Sequence, residues 1–186
     1  MPQLAYKLPL STADYLAGEP FAEVRHEYVD GEVYAMAGTR KRHNLIALNL
    51  AGALRGHLRG TPCQVFASDV KVHIAWDWHE RYYYPDVVVA CETDDTDEYV
   101  VEKPRLIIEI LSESTERKDR AEKFYAYRHL DSLQEYVLVA QEVLRVEVYR
   151  RETNWDLEVY EVAEAEIELR SVGLRLMVAE IYQELQ

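Results

Sequence analysis

The sequence predicts a mixed α/β (α+β) fold, with a mixed central sheet flanked by helices. Three observations carry that prediction. RLIIEIL (105–111) is apolar at nearly every position, as a central strand covered on both faces must be. LQEYVLVA (133–140) reads as a second strand, and the helical stretch 117–130 lies between the two. A strand–helix–strand unit of this length implies a right-handed parallel crossover. Val87, Val88 and Val89 in YYYPDVVVA (82–90) are β-formers and add a strand before it.

The remaining elements follow in chain order. LSTADYLAGE (10–19) predicts a short helix with Ser11 or Thr12 as N-cap. RHEYVDGEVYAMAG (25–38) sets Asp30-Gly31 between two alternating arms, the strongest short hairpin signal. Over 41–59, Ile46, Leu50, Ala53 or Leu54, and Leu58 recur three or four apart, which is one apolar helical stripe. CQVFAS (63–68) and VKVHIAW (70–76) read as strands, and SEST (112–115) as a turn with capping residues. VLRVEVYR (143–150) and WDLEVYEV (155–162) alternate cleanly, which predicts a C-terminal hairpin or meander to match the N-terminal one. LMVAEIYQEL (176–185) reads as a closing helix. The edge at 143–162 could join a second copy in a homodimer, or be capped by that last helix.

With 186 residues, one domain (1–186) is expected. No apolar run approaches the roughly 18 residues of a membrane span, and no basic segment precedes a greasy one, so neither a span nor a signal peptide is expected. Cys63 and Cys91 are the two cysteines, each in an expected strand. They read as small core residues in a reducing, cytoplasmic setting rather than as a disulfide framework or zinc site.

The formal charge of −13 argues against a nucleic-acid partner, because phosphate binding needs positive surface. Its distribution weakens the objection. ETDDTDEYVVE (92–102) carries −6 and residues 140–186 another −6, whereas 1–60 sum to +1 and 103–139 to zero. TRKRH (39–43) and ERKDR (116–120) are local basic clusters.

Two acids stand out because they fall in apolar strands. Asp86 shares an alternation face with Tyr82, Tyr84 and Val88, and Glu109 shares one with Ile107 and Leu111. Buried carboxylates are costly unless paired or bound to a metal. If the two strands are neighbours, these carboxylates converge, and two hard oxygen donors suit Mg²⁺ or Mn²⁺. The alternative is that each acid pairs with an Arg or Lys at a strand end.

The spacing of these features resembles the PD-(D/E)XK nuclease superfamily. More closely, the chain is similar to the Uma family of restriction-endonuclease-like proteins. The matching stretches are EYVDGEVYAMAG (27–38) with His43, SDVKV (68–72), YYYPDVVV (82–89), PRLIIEILSEST (104–115), DRAEK (119–123) and SLQEYVLV (132–139). The resemblance implies a restriction-endonuclease-like core over about 41–140 and a metal-dependent nuclease activity. It also implies catalytic roles for Asp86 and Glu109 and a metal ligand from the backbone carbonyl of Ile110. The superfamily lysine is absent from the strand, where Ile110-Leu111 follow Glu109. The resemblance implies that Lys123 replaces it from the following helix. The plain alternative is an exposed ion pair of Lys123 with Asp119, one turn away.

Other candidates each carry two readings. His43 is a site histidine or a helix-end one. Asp69 caps a bulge or joins the acidic cluster, and Glu32 is a third site carboxylate or an exposed strand acid. Ser112 and Thr115 read as caps of the Lys123 helix. Arg40, Lys41 and Arg42 would contact phosphates, and Tyr82–Tyr84 could stack on bases. The expected function is a Mg²⁺- or Mn²⁺-dependent endonuclease acting on nucleic acid, DNA above all. The rival is an inactive version of the fold used for protein binding or dimerisation. A small-molecule phosphohydrolase is a third class, best suited to the acidity.

Overall fold

The computed structural model describes residues 9–113 and 115–185. Its centre is a six-stranded sheet. The strands are β3 (Gln64–Ala67), β6 (Val87–Ala90), β8 (Pro104–Leu111), β9 (Glu135–Ala140), β10 (Val146–Arg150) and β11 (Leu157–Tyr160). Their spatial order is β11-β10-β9-β8-β6-β3. β8 and β9 run parallel and the other neighbours antiparallel, so the sheet is mixed as expected. β8 is buried along almost its whole length, which is why its sequence is apolar at both alternations.

Each face of this sheet packs on its own layer. On one face, Leu106, Ile108 and Ile110 of β8 meet α2 (Lys41–His57), the hairpin β12 (Glu166–Leu169)–β13 (Leu174–Met177) and the short α4 (Val178–Ile181) in one core. The alternate residues Ile107 and Leu111 join Val88, Tyr136 and Leu138 in a second core. That core is closed by residues 116–127, a helix termed α3, and by a five-stranded sheet. The second sheet is built from β1 (His26–Val29), β2 (Glu32–Ala35), β4 (Lys71–Trp76), β5 (His79–Tyr83) and β7 (Val100–Val101), in the order β2-β1-β5-β4-β7. On the first face Glu135 ties the C-terminal hairpin down. It pairs with the buried Arg150 at 2.9 Å and accepts backbone N–H bonds from Arg170 and Ser171.

Three local expectations are corrected. The stretch 82–90 is not one strand. β5 ends at Tyr83 in one sheet and β6 begins at Val87 in the other, with Tyr84-Pro85-Asp86 crossing between them. Pro85 has no N–H for a ladder and restricts Tyr84, so the strand breaks there. Residues 176–185 are not one helix, because Leu174 and Leu176 alternate inward as β13 before the short α4. Cys63 and Cys91 are not free thiols but a disulfide. The β3–β6 register pairs Gln64 with Ala90, so the next rung sets Cys63 directly against Cys91. The thiols that pointed to a reducing compartment are therefore a bridge, and bridges are rare in the cytosol. No helix among the described residues is long and apolar enough to cross a membrane.

Elsewhere the elements match. α1 (Thr12–Gly18) is capped by Ser11, whose side chain accepts from the Asp14 N–H. The first hairpin pairs Val29 with Glu32 around Asp30 and Gly31, at φ 50° and 96°. Both positive angles are those of a type I′ turn. A Cβ on Gly31 would lie 2.4 Å from the Cβ of Pro9. Gly31→Ala should therefore cost roughly 1–3 kcal/mol. Gly38, with nothing within 4 Å of an added Cβ, should tolerate alanine within about 0.5 kcal/mol. Urea unfolding of both variants checks this, and equal midpoints would remove the strain argument.

Candidate active site

The β6–β8 ladder brings the two selected acids together. Val87 pairs with Ile108 and Val88 with Ile107, so the rung before β6 sets Asp86 against Glu109. Both lie on the face that packs against α3 and the second sheet. The Asp86 carboxylate accepts the Ile110 N–H at 2.7 Å, and His43 Nε2, from the first turn of α2, lies 3.2 Å from the same oxygen. His43 Nδ1 is buried without a hydrogen-bond partner.

Lys123 reaches Glu109 from α3. Its Nζ lies 3.1 Å from Glu109 Oε1, 3.0 Å from Glu27 Oε1 and 3.4 Å from Asp119 Oδ1. Lys123 is 6 % exposed, Glu109 3 %, Asp119 2 % and Glu27 7 %. The pair with Asp119 exists, but it is neither exposed nor isolated. Tyr127 donates to Glu109 Oε1 at 3.2 Å, and Lys118 donates to Glu27 Oε2 at 2.6 Å. Residues 119, 123 and 127 thus face one point, and the helix departs from α geometry to aim them. In an α-helix four residues overshoot a turn by about 40°. Asp119–Lys123 forms a π-type turn, which is wider and brings side chains four apart closer to alignment.

The charges are unequal. Burial drives the Glu109 carboxyl well above the ordinary range, and Asp119, Asp86 and Glu27 add to this against the pull of Lys123. Burial also raises Asp119, less strongly because Lys123 and Thr115 oppose it. For Glu27 burial is outweighed by Lys123 and Lys118, which hold it below the ordinary value. Burial lowers the Lys123 ammonium, but Glu109, Glu27 and Asp119 overcome it and raise it well above the ordinary lysine value.

An excess of buried carboxyl oxygens around one ammonium suits a hard divalent cation. Asp119 Oδ1 is buried and accepts no hydrogen bond beyond its long ionic contact with Lys123, in keeping with a site short of positive charge. Among the described residues no group of three or more His, Cys, Asp or Glu is arranged to hold a metal by itself. An ion at Asp86 and Glu109 would therefore complete its shell with backbone, water or substrate oxygens, as Mg²⁺ commonly does.

Several expectations about the site residues are revised. Glu32 does not join the cluster; it is exposed on the edge strand β2 and accepts from Tyr34. Glu27, on the inner strand of the same hairpin, is the third carboxylate instead. Asp69 is also outside, with a side chain 77 % exposed and paired with Arg25. Ile110 contributes its N–H to Asp86. Arg40 is exposed and paired with Glu142 at 3.2 Å, Lys41 is exposed and Arg42 half-buried, all at the α2 end that carries His43. The acidic loop joins the end of β6 to the start of β8, at the opposite end of those strands from Asp86 and Glu109.

A family model described as "Putative restriction endonuclease", Uma2, matches residues 12–179. The chain belongs to the Uma2 family. Two proteins of Synechocystis sp. agree with that placement. Uncharacterised protein slr1290 is 36 % identical over 177 residues, 94 % of this chain and 92 % of its own. Uncharacterised protein sll1609 is 36 % identical over 164 residues, 86 % of this chain and 92 % of its own. A crystal structure from Anabaena variabilis, titled a "putative nuclease belonging to DUF820", superposes with a TM-score of 0.71 at 17 % identity. It covers 87 % of this chain and 91 % of that one, which establishes a shared fold. In this Uma2 chain the strand acid and the helix lysine meet at Glu109 and Lys123, and Glu27 is the residue that strand patterning missed.

The Glu109 shift has a sign that can be measured. The unfolded chain releases this proton near pH about 4.3, while the folded chain holds it to higher pH. Above that value the native state binds more protons, so stability falls as pH rises through the raised native pKa. In metal-free protein, Glu109→Gln should flatten this decline. Urea midpoints of parent and variant in chelator, across roughly pH 5 to 8, test it. Parallel profiles would mean that Glu109 is ionised in the fold.

Proposed function

We propose that this chain is a Mg²⁺- or Mn²⁺-dependent endonuclease that hydrolyses phosphodiester bonds in DNA. The observation that carries the reading is the 3.1 Å contact of Lys123 Nζ with Glu109. It puts a lysine beside the strand acid although the strand itself has none. Membership of the Uma2 family supports the same chemistry.

Asp86 and Glu109 would hold the ion, together with the Ile110 carbonyl. When bound, it supplies Lewis-acid charge next to the scissile phosphate. Lys123 supplies a fixed ammonium toward charge that develops on the phosphoryl oxygens, and its burial strengthens that field. Glu27 and Asp119 hold the ammonium in place, and Tyr127 orients Glu109 by its hydrogen bond. His43 positions Asp86. Arg40, Lys41 and Arg42 offer positive charge at the same end of the fold for flanking phosphates. The placement of the acidic loop at the far end keeps its six carboxylates away from that approach.

The rival is a non-catalytic fold, for which the charge pairing of Lys123 would be purely structural. One experiment separates the two. Plasmid and single-stranded DNA are incubated with parent, Lys123→Met and Asp86→Asn in Mg²⁺ or Mn²⁺, with metal affinity measured by calorimetry. Lys123→Met should lower the cleavage rate by roughly 10²–10⁴-fold while retaining metal. Asp86→Asn should lose both. Removing one partner of a buried pair costs about 3–5 kcal/mol, so rates are compared only where circular dichroism gives a folded variant. A parent that binds no metal and cuts neither substrate would sink the proposal, and equal rates for Lys123→Met would return that lysine to a structural role.

A further inference from the structure

Each of the two acids that would hold the ion has one oxygen already engaged. Glu109 Oε1 takes both Lys123 Nζ at 3.1 Å and the Tyr127 hydroxyl at 3.2 Å. Asp86 Oδ2 takes the Ile110 N–H at 2.7 Å and lies 3.2 Å from His43 Nε2. Among the described residues, neither Glu109 Oε2 nor Asp86 Oδ1 makes a hydrogen bond. The protein thus occupies one oxygen of each carboxylate and leaves the other without a donor.

Of the groups that do this, His43 stands apart. The Ile110 N–H is main chain, and Lys123 and Tyr127 belong to the buried cluster around Glu109. His43 comes from α2, which packs on the opposite face of the sheet, and its place in the first turn brings it to Asp86 at the end of β6. Its side chain is 12 % exposed, and Nδ1 is buried with no hydrogen-bond partner. An unpaired buried nitrogen is costly, and an apolar side chain of similar size would avoid that cost. What the imidazole supplies here is the contact of Nε2 with Asp86. A carboxylate oxygen can only accept, so Nε2 carries its proton in this contact and has no lone pair for an ion. His43 therefore acts through Asp86, as a positioning residue.

We propose that His43 sets the cation preference of the site, by holding Asp86 Oδ2 so that this carboxylate offers one oxygen rather than two. The proposal rests on the metal-dependent reading above and adds a selectivity to it. One oxygen from each acid suits a small octahedral ion that keeps several waters, as Mg²⁺ does and Mn²⁺ can. Ca²⁺ takes about six to eight oxygens and accepts two from one carboxylate. Without His43, Oδ2 is held by the Ile110 N–H alone, and Asp86 is freer to turn and offer both oxygens.

The test is binding of the metal alone, without DNA. Calorimetry measures Mg²⁺, Mn²⁺ and Ca²⁺ on the parent, His43→Leu, His43→Asn and His43→Gln, each shown to be folded by circular dichroism. His43→Leu should weaken Mg²⁺ and Mn²⁺ binding by roughly 10–100-fold, the usual cost of losing a group that orients a metal ligand, and Ca²⁺ binding by less. The Mg²⁺ to Ca²⁺ affinity ratio decides, because loosened packing at α2 would weaken all three ions alike. His43→Asn is too short to reach Oδ2 and should behave like His43→Leu. Gln places an N–H at about the reach of Nε2, so His43→Gln should keep the parental ratio. An unchanged ratio in folded His43→Leu or His43→Asn overturns the proposal, and so does a His43→Gln that behaves like them. A loss confined to Mn²⁺ would make the imidazole itself a ligand and overturns it as well. The two readings fail separately. A parent that binds these ions but cuts no DNA, with the ratio shifted in His43→Leu, removes the nuclease and keeps the selectivity. A parent that cuts DNA, with the ratio unchanged in the variants, removes the selectivity and keeps the nuclease.

Discussion

The buried ammonium of Lys123 constrains everything around it. Desolvating such a charge costs several kcal/mol even after relaxation, and only close, well-placed partners repay it. Three separate elements provide them: β1 through Glu27, β8 through Glu109 and α3 through Asp119. The two sheets and the helix can therefore dock in only one relation, because any other leaves a charge unpaired in the interior. The same pairing explains why Glu27 is held below the ordinary carboxylate value while burial and neighbouring carboxyls drive Glu109 above it. Lys118 gives Glu27 a second cation, and Glu109 has carboxyls for its other neighbours.

How much of this could be read from residues depends on the range of the interaction. Asp86 and Glu109 were legible because strand alternation fixes faces, and a carboxylate on an apolar face needs a reason. Lys123 was legible only through its resemblance to a family pattern, since i,i+4 spacing from Asp119 equally describes a surface pair. Glu27 was not legible. It begins a short hairpin arm with no apolar run, and which arm lies inside depends on β1 pairing with β5 rather than on the hairpin itself. Glu32, chosen for its place after Gly31, fell on the outer arm for the same reason. The π-type turn left no mark in DRAEK. The disulfide needed the β3–β6 register, which two isolated cysteines do not reveal. The misread C-terminal helix arose from a short apolar run that fits both periods until its partner strand is known.

Net charge proves to be a weak guide to this molecule's surfaces. Much of the acidity is already committed. Asp97 accepts the backbone N–H groups of Tyr99 and Val100, and Asp95 those of Glu102 and Lys103, so two acids of the loop shape its backbone. In the C-terminal quarter Arg145, Arg150, Arg170 and Arg175 pair with Glu161, Glu158, Glu152 and Glu168. These contacts organise loops and hairpins away from Asp86, and they leave the basic start of α2 as a distinct region.

The Cys63–Cys91 bridge also changes what the chain is, topologically. It closes a ring that leaves the six-stranded sheet at β3, makes the β4–β5 hairpin of the other sheet, and returns through Tyr84-Pro85-Asp86 to β6. The hairpin tip at Asp77-Trp78 is an exposed point on it, with Asp77 at φ 50° and Trp78 77 % exposed. A protease that nicked this tip would open the ring without separating its halves. The two fragments would run as one species until a reductant was added, and Asp86 would remain tethered on the β6 side of the cut.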